Sequence, residues 1–208
     1  MVKDGIKVFL GIDHQFIKEL VALYINQIPS SEIQFINNMN EADILLSDVC
    51  FLFNQTEAIL DSQNEKVVLL NYTLKSNEIL ILLNLLPSIK GIIDENMKPD
   101  TLYKALVCVD RGEIWIRRSL LHQSLVYKVG TNFSPKELKI IWFILQGKIN
   151  KEIARELDVS EQTVKYYINS ILSKIGGSGK LDIALRFCRF KDLIEVLIKK
   201  EETVAKKV

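Results

Sequence analysis

Residues Asn150 to Ile175 read NKEIARELDVSEQTVKYYINSILSKI, and two short helices joined by a tight turn fit that run. Asn150 is placed to cap the first helix, and Ile153, Ala154 and Leu157 give it one apolar side. Asp158 and Val159 make the turn, and Ser160 offers an N-cap oxygen to a second helix beginning at Glu161. On that second helix Val164, Ile168, Ile171, Leu172 and Ile175 share one side. Gln162, Lys165, Tyr166, Asn169 and Ser173 fall on the other, at about 100° per residue. An outer face offering a Lys, amide side chains and a Tyr hydroxyl near the helix N-terminus suits the major groove of double-stranded DNA.

The 208 residues allow one large or two small domains, with 48% apolar residues for the cores and an ordinary 25% charged. The net charge of +1 conceals an asymmetry. Residues 1–130 carry 12 Lys and Arg against 16 Asp and Glu, whereas residues 131–208 carry 15 against 10. A mildly acidic front and a basic back fit a regulatory part followed by a polyanion-binding part. Cys50, Cys108 and Cys188 are far apart and flanked by apolar residues, which predicts buried thiols in a reducing cytosol and no metal site. Lys3-Asp4 interrupts any signal-peptide pattern, and the apolar run Ile79 to Leu86 falls short of the roughly 20 residues that cross a bilayer. A cytoplasmic location without membrane contact is expected.

Five short apolar runs alternate with helical patterns: Ile6 to Gly11, Ile33 to Ile36, Ile44 to Ser47, Val67 to Leu70 and Ile89 to Ile93. Phe16, Leu20, Leu23 and Tyr24 recur at helical spacing after the first, and segments around Glu57, Ile79 and Leu102 supply further helices. This alternation predicts an α/β doubly wound, parallel sheet. Ser134-Pro135-Lys136-Glu137 is a capping box with Pro at the first helical position. It opens a helix whose stripe is Leu138, Ile141, Trp142 and Leu145, ended by Gly147.

With IKVFLGIDH, ADILLSDV, GIIDENMKPDTL and RGEIWI in front, and SPKELKIIWFILQGKINKEIAREL and VSEQTVKYYINSILSKI behind, the chain resembles bacterial response regulators. These join a receiver (flavodoxin-like) domain to a LuxR/NarL-type helix-turn-helix domain. The resemblance implies a receiver at residues 1–118, a linker at 119–132 with Gly130 as its flexible point, and an all-α four-helix domain at 133–208. Asp158 stands where the family usually has Gly, and Asp tolerates the left-handed backbone such a turn needs. Lys165, Tyr166 and Asn169 match the positions that reach base edges. Lys151, Thr163, Lys174, Ser178 and Lys180 match positions for phosphate contact or local support. Tyr167 stands where the family often has His.

A working receiver, as the resemblance implies, holds Mg²⁺ on two acidic residues and phosphorylates an Asp beside a hydroxyl and a Lys. Asp48 matches the phosphoacceptor and Asp13 one acidic position, with an N-cap of the first helix as the plainer reading of Asp13. The remaining positions fall on Ile12, Asn71 and Glu95, and an anion in place of the Lys repels an incoming phosphate. The expectation is a degenerate receiver without ordinary aspartyl phosphorylation; the alternative is a conventional switch on Asp48. No cofactor is implied, and no nucleophile–base–oxyanion set suggests an enzyme.

Two departures concern shape. Between the second and third strands only NNMNEA (Asn37 to Ala42) remains, and six extended residues reach about 20 Å, so the second helix is expected to be missing. A partly uncovered sheet face there would invite a protein partner. Glu78 to Leu86 (EILILLNLL) is apolar all round, which suggests a receiver dimer, or docking of the DNA-binding domain, through Leu80 and Leu83. A single last helix from Leu181 to about Lys200 offers Ile183, Phe187, Phe190, Ile194 and Leu197 as a two-heptad homodimer seam, against packing onto its own domain. The expected function is therefore a dimeric, sequence-specific transcription regulator, with a protein-interaction module that no longer binds DNA as the reading from another class.

Overall fold

The computed structural model describes residues 5–28, 32–62, 66–94, 98–120 and 132–205. Contacts divide the chain into two compact units, residues 1–74 with 88–118 and residues 75–87 with 119–208.

The first unit is built on a parallel sheet of β1 (Ile6–Gly11), β2 (Ile33–Ile36), β3 (Ile44–Asp48), β4 (Val67–Asn71) and β5 (Ile89–Asp94), in the order β2-β1-β3-β4-β5. Around it run α1 (Gln15–Asn26), α2 (Val49–Asn54), α3 (Thr56–Asp61) and α5 (Pro99–Asp110). The central strands are apolar and buried on both faces, as parallel strands must be. Val8, Leu10, Ile44, Leu46, Val68, Leu70 and Ile93 pack toward Ala105, Leu106 and Val109 of α5. Beyond β5, Trp115 exchanges hydrogen bonds of 2.8 Å with Lys90 and Ile92, which occupies part of that exposed edge.

Between β2 and β3 the chain makes only a 3-10 turn, Met39–Glu41, so the expected loss of the second helix is found. Asn38 holds the turn, accepting from the Asn40 N–H at 3.1 Å and donating to Glu41 at 2.7 Å. The sheet face is nevertheless closed at its centre, because Leu45 and Leu69 are fully buried and α2 packs on β3 and β4. The Phe51 ring lies so close over Gly11 that a Cβ there would sit 2.6 Å from it. The exposed apolar surface expected on this face lies elsewhere, on α1. Phe16 (64%), Leu20 (49%) and Leu23 (59%) of that helix are open to solvent, and among its residues only Ile25 is buried.

The second unit holds α4 (Ser76–Leu85), α6 (Pro135–Leu145), α7 (Asn150–Glu156), α8 (Glu161–Ile175), α9 (Lys180–Phe187) and α10 (Lys191–Ala205). Residues 75–87 thus group with this unit, whereas the expected boundaries put them in the first. Leu80 is buried and Leu83 half-buried, so neither offers a free apolar face. The single last helix is corrected to two: a 3-10 turn at Cys188–Phe190 separates α9 from α10 and turns both Phe187 and Phe190 fully inward. Ile183, Phe187, Phe190 and Ile194 have no exposed surface and Leu197 is half-buried, so the proposed seam is the core of its own unit. The α6 stripe is Leu138, Ile140, Ile141 and Ile144, with Trp142 half-buried under Lys191 (5.6 Å). Gly130 lies outside the described residues. The thiols of Cys50 and Cys188 are exposed rather than buried, since each sits on the outward side of a short helical turn.

Candidate nucleic-acid interface and the strand-end carboxylates

The scaffold of the interface is a capped pair of helices. The helix α7 starts one residue earlier than a cap at Asn150 requires: Ile149 is the N-cap position, and Glu152 accepts its N–H at 2.8 Å. Asp158 then takes the left-handed backbone, φ 51°, that its place in the turn called for. Ser160 caps α8 by accepting from the Thr163 N–H at 3.0 Å. Val164, Ile168, Ile171 and Ile175 are buried along one side of α8, each stabilising its seat by about 1.5–3 kcal/mol. Gly176, at φ 64°, ends the helix, and Arg186 donates to the Ile175 carbonyl at 2.8 Å, placing a cation at the negative end of the helix dipole.

The opposite side of α8 faces solvent. Gln162, Lys165, Tyr166, Asn169 and Ser173 are exposed, Tyr166 at 69%. The Tyr166 ring stands edge-on to that of Tyr167, with centroids 5.6 Å apart. Lys165 and Asn169, one turn apart, have no side-chain partner among the described residues, and Lys151 on α7 is likewise exposed. A Lys and an amide, exposed one helical turn apart, carry donors of the kind that pair with base-edge acceptors in a major groove.

The other residues expected to touch DNA are tied internally. Lys174 donates to Glu137 at 2.7 Å and to the Asn132 carbonyl at 3.0 Å, and lies over the Phe133 ring. The Lys180 ammonium is lodged against the Lys148 carbonyl, and burial pushes its pKa down. Ser178 donates from its N–H (2.6 Å) and hydroxyl (2.9 Å) to Asp182, and the backbone bond leads in holding that carboxyl below its usual range. Thr163 shares a hydrogen bond with the Ser160 hydroxyl.

Glu137 is the hub that composition and spacing did not reveal beyond its capping role. It accepts from the Ser134 N–H (2.7 Å), the Ser170 hydroxyl (2.8 Å) and Lys174, joining α6 to α8. Burial alone would raise its pKa, but these donors outweigh burial and hold the carboxyl below its ordinary value.

In the first unit, Asp48 is fully buried at the end of β3 and caps α2. One carboxylate oxygen accepts from the Phe51 N–H at 2.7 Å; the other accepts from the Asp13 N–H at 3.2 Å and the Tyr72 hydroxyl at 2.8 Å. Burial, and then the bond to Asp48, push the Tyr72 phenol far above its ordinary pKa. Asp13 does not cap α1, whose N-cap position is His14; its carboxylate accepts from Asn54 at 2.8 Å. Ile12 is buried in the core and supplies no oxygen. Asn71 is spent on the following loop, donating to the Leu74 carbonyl and to Asp94 at 3.1 Å each and accepting from the Leu74 N–H at 2.9 Å. Glu95 lies outside the described residues. Among the described residues no group of three or more His, Cys, Asp or Glu is placed to hold a metal. Nor is any of their helices long and apolar enough to cross a membrane.

Comparison with known proteins adds the following. Residues 131–187 match the GerE family, described as bacterial regulatory proteins, luxR family. The nitrate/nitrite response regulator protein NarL of Escherichia coli K12 is 33% identical over 104 residues, 46% of this chain and 48% of that protein. The transcriptional regulatory protein LiaR of Bacillus subtilis is 39% identical over 67 residues, 32% of this chain and 28% of LiaR. The chain's matches thus span about half the length of these relatives or less. A solved complex of the response regulator RcsB with DNA is similar in fold, with a TM-score of 0.51 at 19% identity, covering 88% of this chain and 98% of that one. RcsB of Salmonella enterica serovar Typhimurium, solved bound to a promoter, gives 0.53 at 20% identity with the same coverage.

Proposed function

We propose that this chain, whose residues 131–187 are a luxR-family helix-turn-helix segment of NarL/LuxR response-regulator type, is a transcription regulator that reads double-stranded DNA. The observation that carries this reading is the exposed row of Lys165, Tyr166 and Asn169 on α8, whose side chains make no hydrogen bond among the described residues, while Thr163, Lys174 and Ser178 are held by internal bonds. Lys165 donates to guanine acceptors, Asn169 pairs with a base edge, the Tyr166 ring meets a thymine methyl, and Lys151 meets phosphate. Lys174, Ser178, Lys180 and Thr163 hold the reading helix at its angle.

The first unit, in this reading, works without phosphate on Asp48. Both oxygens of that carboxylate are already engaged, Ile12 removes a cation ligand, and Asn54 holds Asp13, so the residues present do not fit Mg²⁺. The protein acts as a homodimer. Leu181 (70% exposed) and Leu185 (65%) lie one turn apart on the outside of α9, and this pair replaces the buried seam as the contact between copies.

Gel shifts against genomic fragments at 50 and 200 mM salt test the reading. Specific retention that weakens with salt, and that falls with Lys165→Ala, is expected; no retained fragment at either salt overturns it. Incubation with a small phosphodonor and Mg²⁺ is expected to leave Asp48 unmodified.

A further inference from the structure

The first helix buries only Ile25 fully and packs Ile17, Val21, Ala22 and Tyr24 against the core, with an open groove left along it. A cavity of about 580 Å³ lies there. Sites that take small organic ligands run from about 300 to 1,000 Å³. Ile17, Leu20 and Val21 of α1, Leu70 and Ile93 at the ends of β4 and β5, and Leu102 of α5 form its apolar walls.

The polar side chains around this room divide into two sets. The Tyr24 hydroxyl donates to Asp100 at 2.8 Å, Tyr72 donates to Asp48, and Asn71 donates to Asp94. Asp94 also has Arg117 beside it, with Nε 2.6 Å from Oδ2. Each carboxylate near the cavity thus has a hydroxyl or a cation beside it, although Asp94 Oδ2, buried, accepts no hydrogen bond and is met by charge alone. The Lys98 ammonium and the Gln27 amide, both exposed along the lining, have no partner among the described residues. Unpaired positive charge beside an apolar room favours a ligand with the opposite charge on an apolar body.

We propose that this cavity binds a small amphipathic organic anion, with its hydrocarbon or aromatic body between α1 and α5 and its acid group on Lys98 Nζ. A second copy of the chain is the poorer occupant. The exposed Lys98 ammonium calls for an acid, whereas an isologous copy brings the same apolar helix and a second lysine. The site belongs to the first unit and does not rest on the reading of α8.

The test is titration calorimetry of the full chain with octanoate, with 1-octanol as its uncharged counterpart. Saturable one-to-one octanoate binding is expected, weakened about fivefold by Lys98→Gln while octanol binding stays unchanged. Val21→Trp, which fills the room, is expected to abolish binding of both. Should that variant fail to fold by circular dichroism, Leu20→Gln on the exposed rim is expected to weaken both. Absence of saturable octanoate binding overturns the proposal, as does binding that none of these changes affects. Light scattering on the same samples covers the other occupant: a dimer dispersed by Leu23→Gln, without octanoate heat, assigns the surface to a second copy and overturns the proposal. Gel shifts of Lys98→Gln are expected to match the unchanged chain, so a failure here leaves the DNA reading standing.

Discussion

Two polar groups of residues, one in each unit, are built in opposite ways. At the end of β3, Asp48 is buried and both carboxylate oxygens are taken, by two backbone N–H groups and the Tyr72 hydroxyl. On α8, Lys165 and Asn169 are exposed and engage nothing among the described residues. A buried charge needs its partners inside, because an unmet one costs several kcal/mol; an exposed donor is satisfied by water and loses little when a ligand replaces that water. Internal satisfaction goes with the capping of α2 by Asp48, and open donors on α8 fit the proposed contact with DNA.

The sharpest form of the contrast lies within α8 itself, between Lys165 and Lys174. Lys174 is paired with Glu137, and their side chains are 16% and 4% exposed. Glu137→Ala removes a helix cap and strands that cation, so a stability loss of about 3 kcal/mol is expected in a urea melt of the full chain. The pair also gives the melt an acid limb. The carboxyl of Glu137 is held below its ordinary value of 4.5, so its contribution is full above that value and is lost as the pH falls below it. The acid limb should shrink in Glu137→Ala. A melt shifted by less than about 1 kcal/mol would place Lys174 among the free cations and blur the contrast.

Lys165→Ala should do the reverse. The melt is expected to stay within about 0.5 kcal/mol of the unchanged chain. Specific DNA affinity should fall by about 1–3 kcal/mol, with the loss concentrated on one base position. Equal weakening on every sequence, with a shallower salt slope, would reassign Lys165 to phosphate.

The sequence disclosed what local rules govern. The five strands, the Ser134–Glu137 box and the Ser160 cap follow from residue type and spacing, whereas the left-handed Asp158 and the missing helix between β2 and β3 were legible only against the pattern of the resembled family. What it hid depends on distant partners. Period alone cannot tell whether a seam of Ile183, Phe187 and Phe190 meets another copy or its own domain, and here the break at Cys188–Phe190 turns it inward. The same limit applies to α1, where apolar spacing announced a helix but not that Phe16, Leu20 and Leu23 would lie outside. Lys151, Thr163, Lys174, Ser178 and Lys180 looked alike in sequence, as positions for phosphate contact or local support. The places of Ser160, Glu137, Asp182 and the Lys148 carbonyl tie four of them internally and leave Lys151 exposed. Tyr72 was visible beside the hydroxyl position, yet its reach to Asp48 follows from two strand ends being neighbours in the sheet.

That reach sets the smallest expected effect and the most direct probe of the closed cluster. Tyr72→Phe removes one of three donors to Asp48 and keeps the ring, so a loss of about 1 kcal/mol is expected. The two backbone donors stay, and Ile12 still offers no oxygen. The variant should therefore remain unmodified by a small phosphodonor with Mg²⁺, as judged by intact mass. An adduct on Tyr72→Phe and none on the unchanged chain would give a different result: the pocket would retain its phosphoryl chemistry and a single hydroxyl would be its lock. Closure at Asp48 would then be the property of one side chain rather than of the whole strand end, and the contrast with α8 would narrow to that one bond.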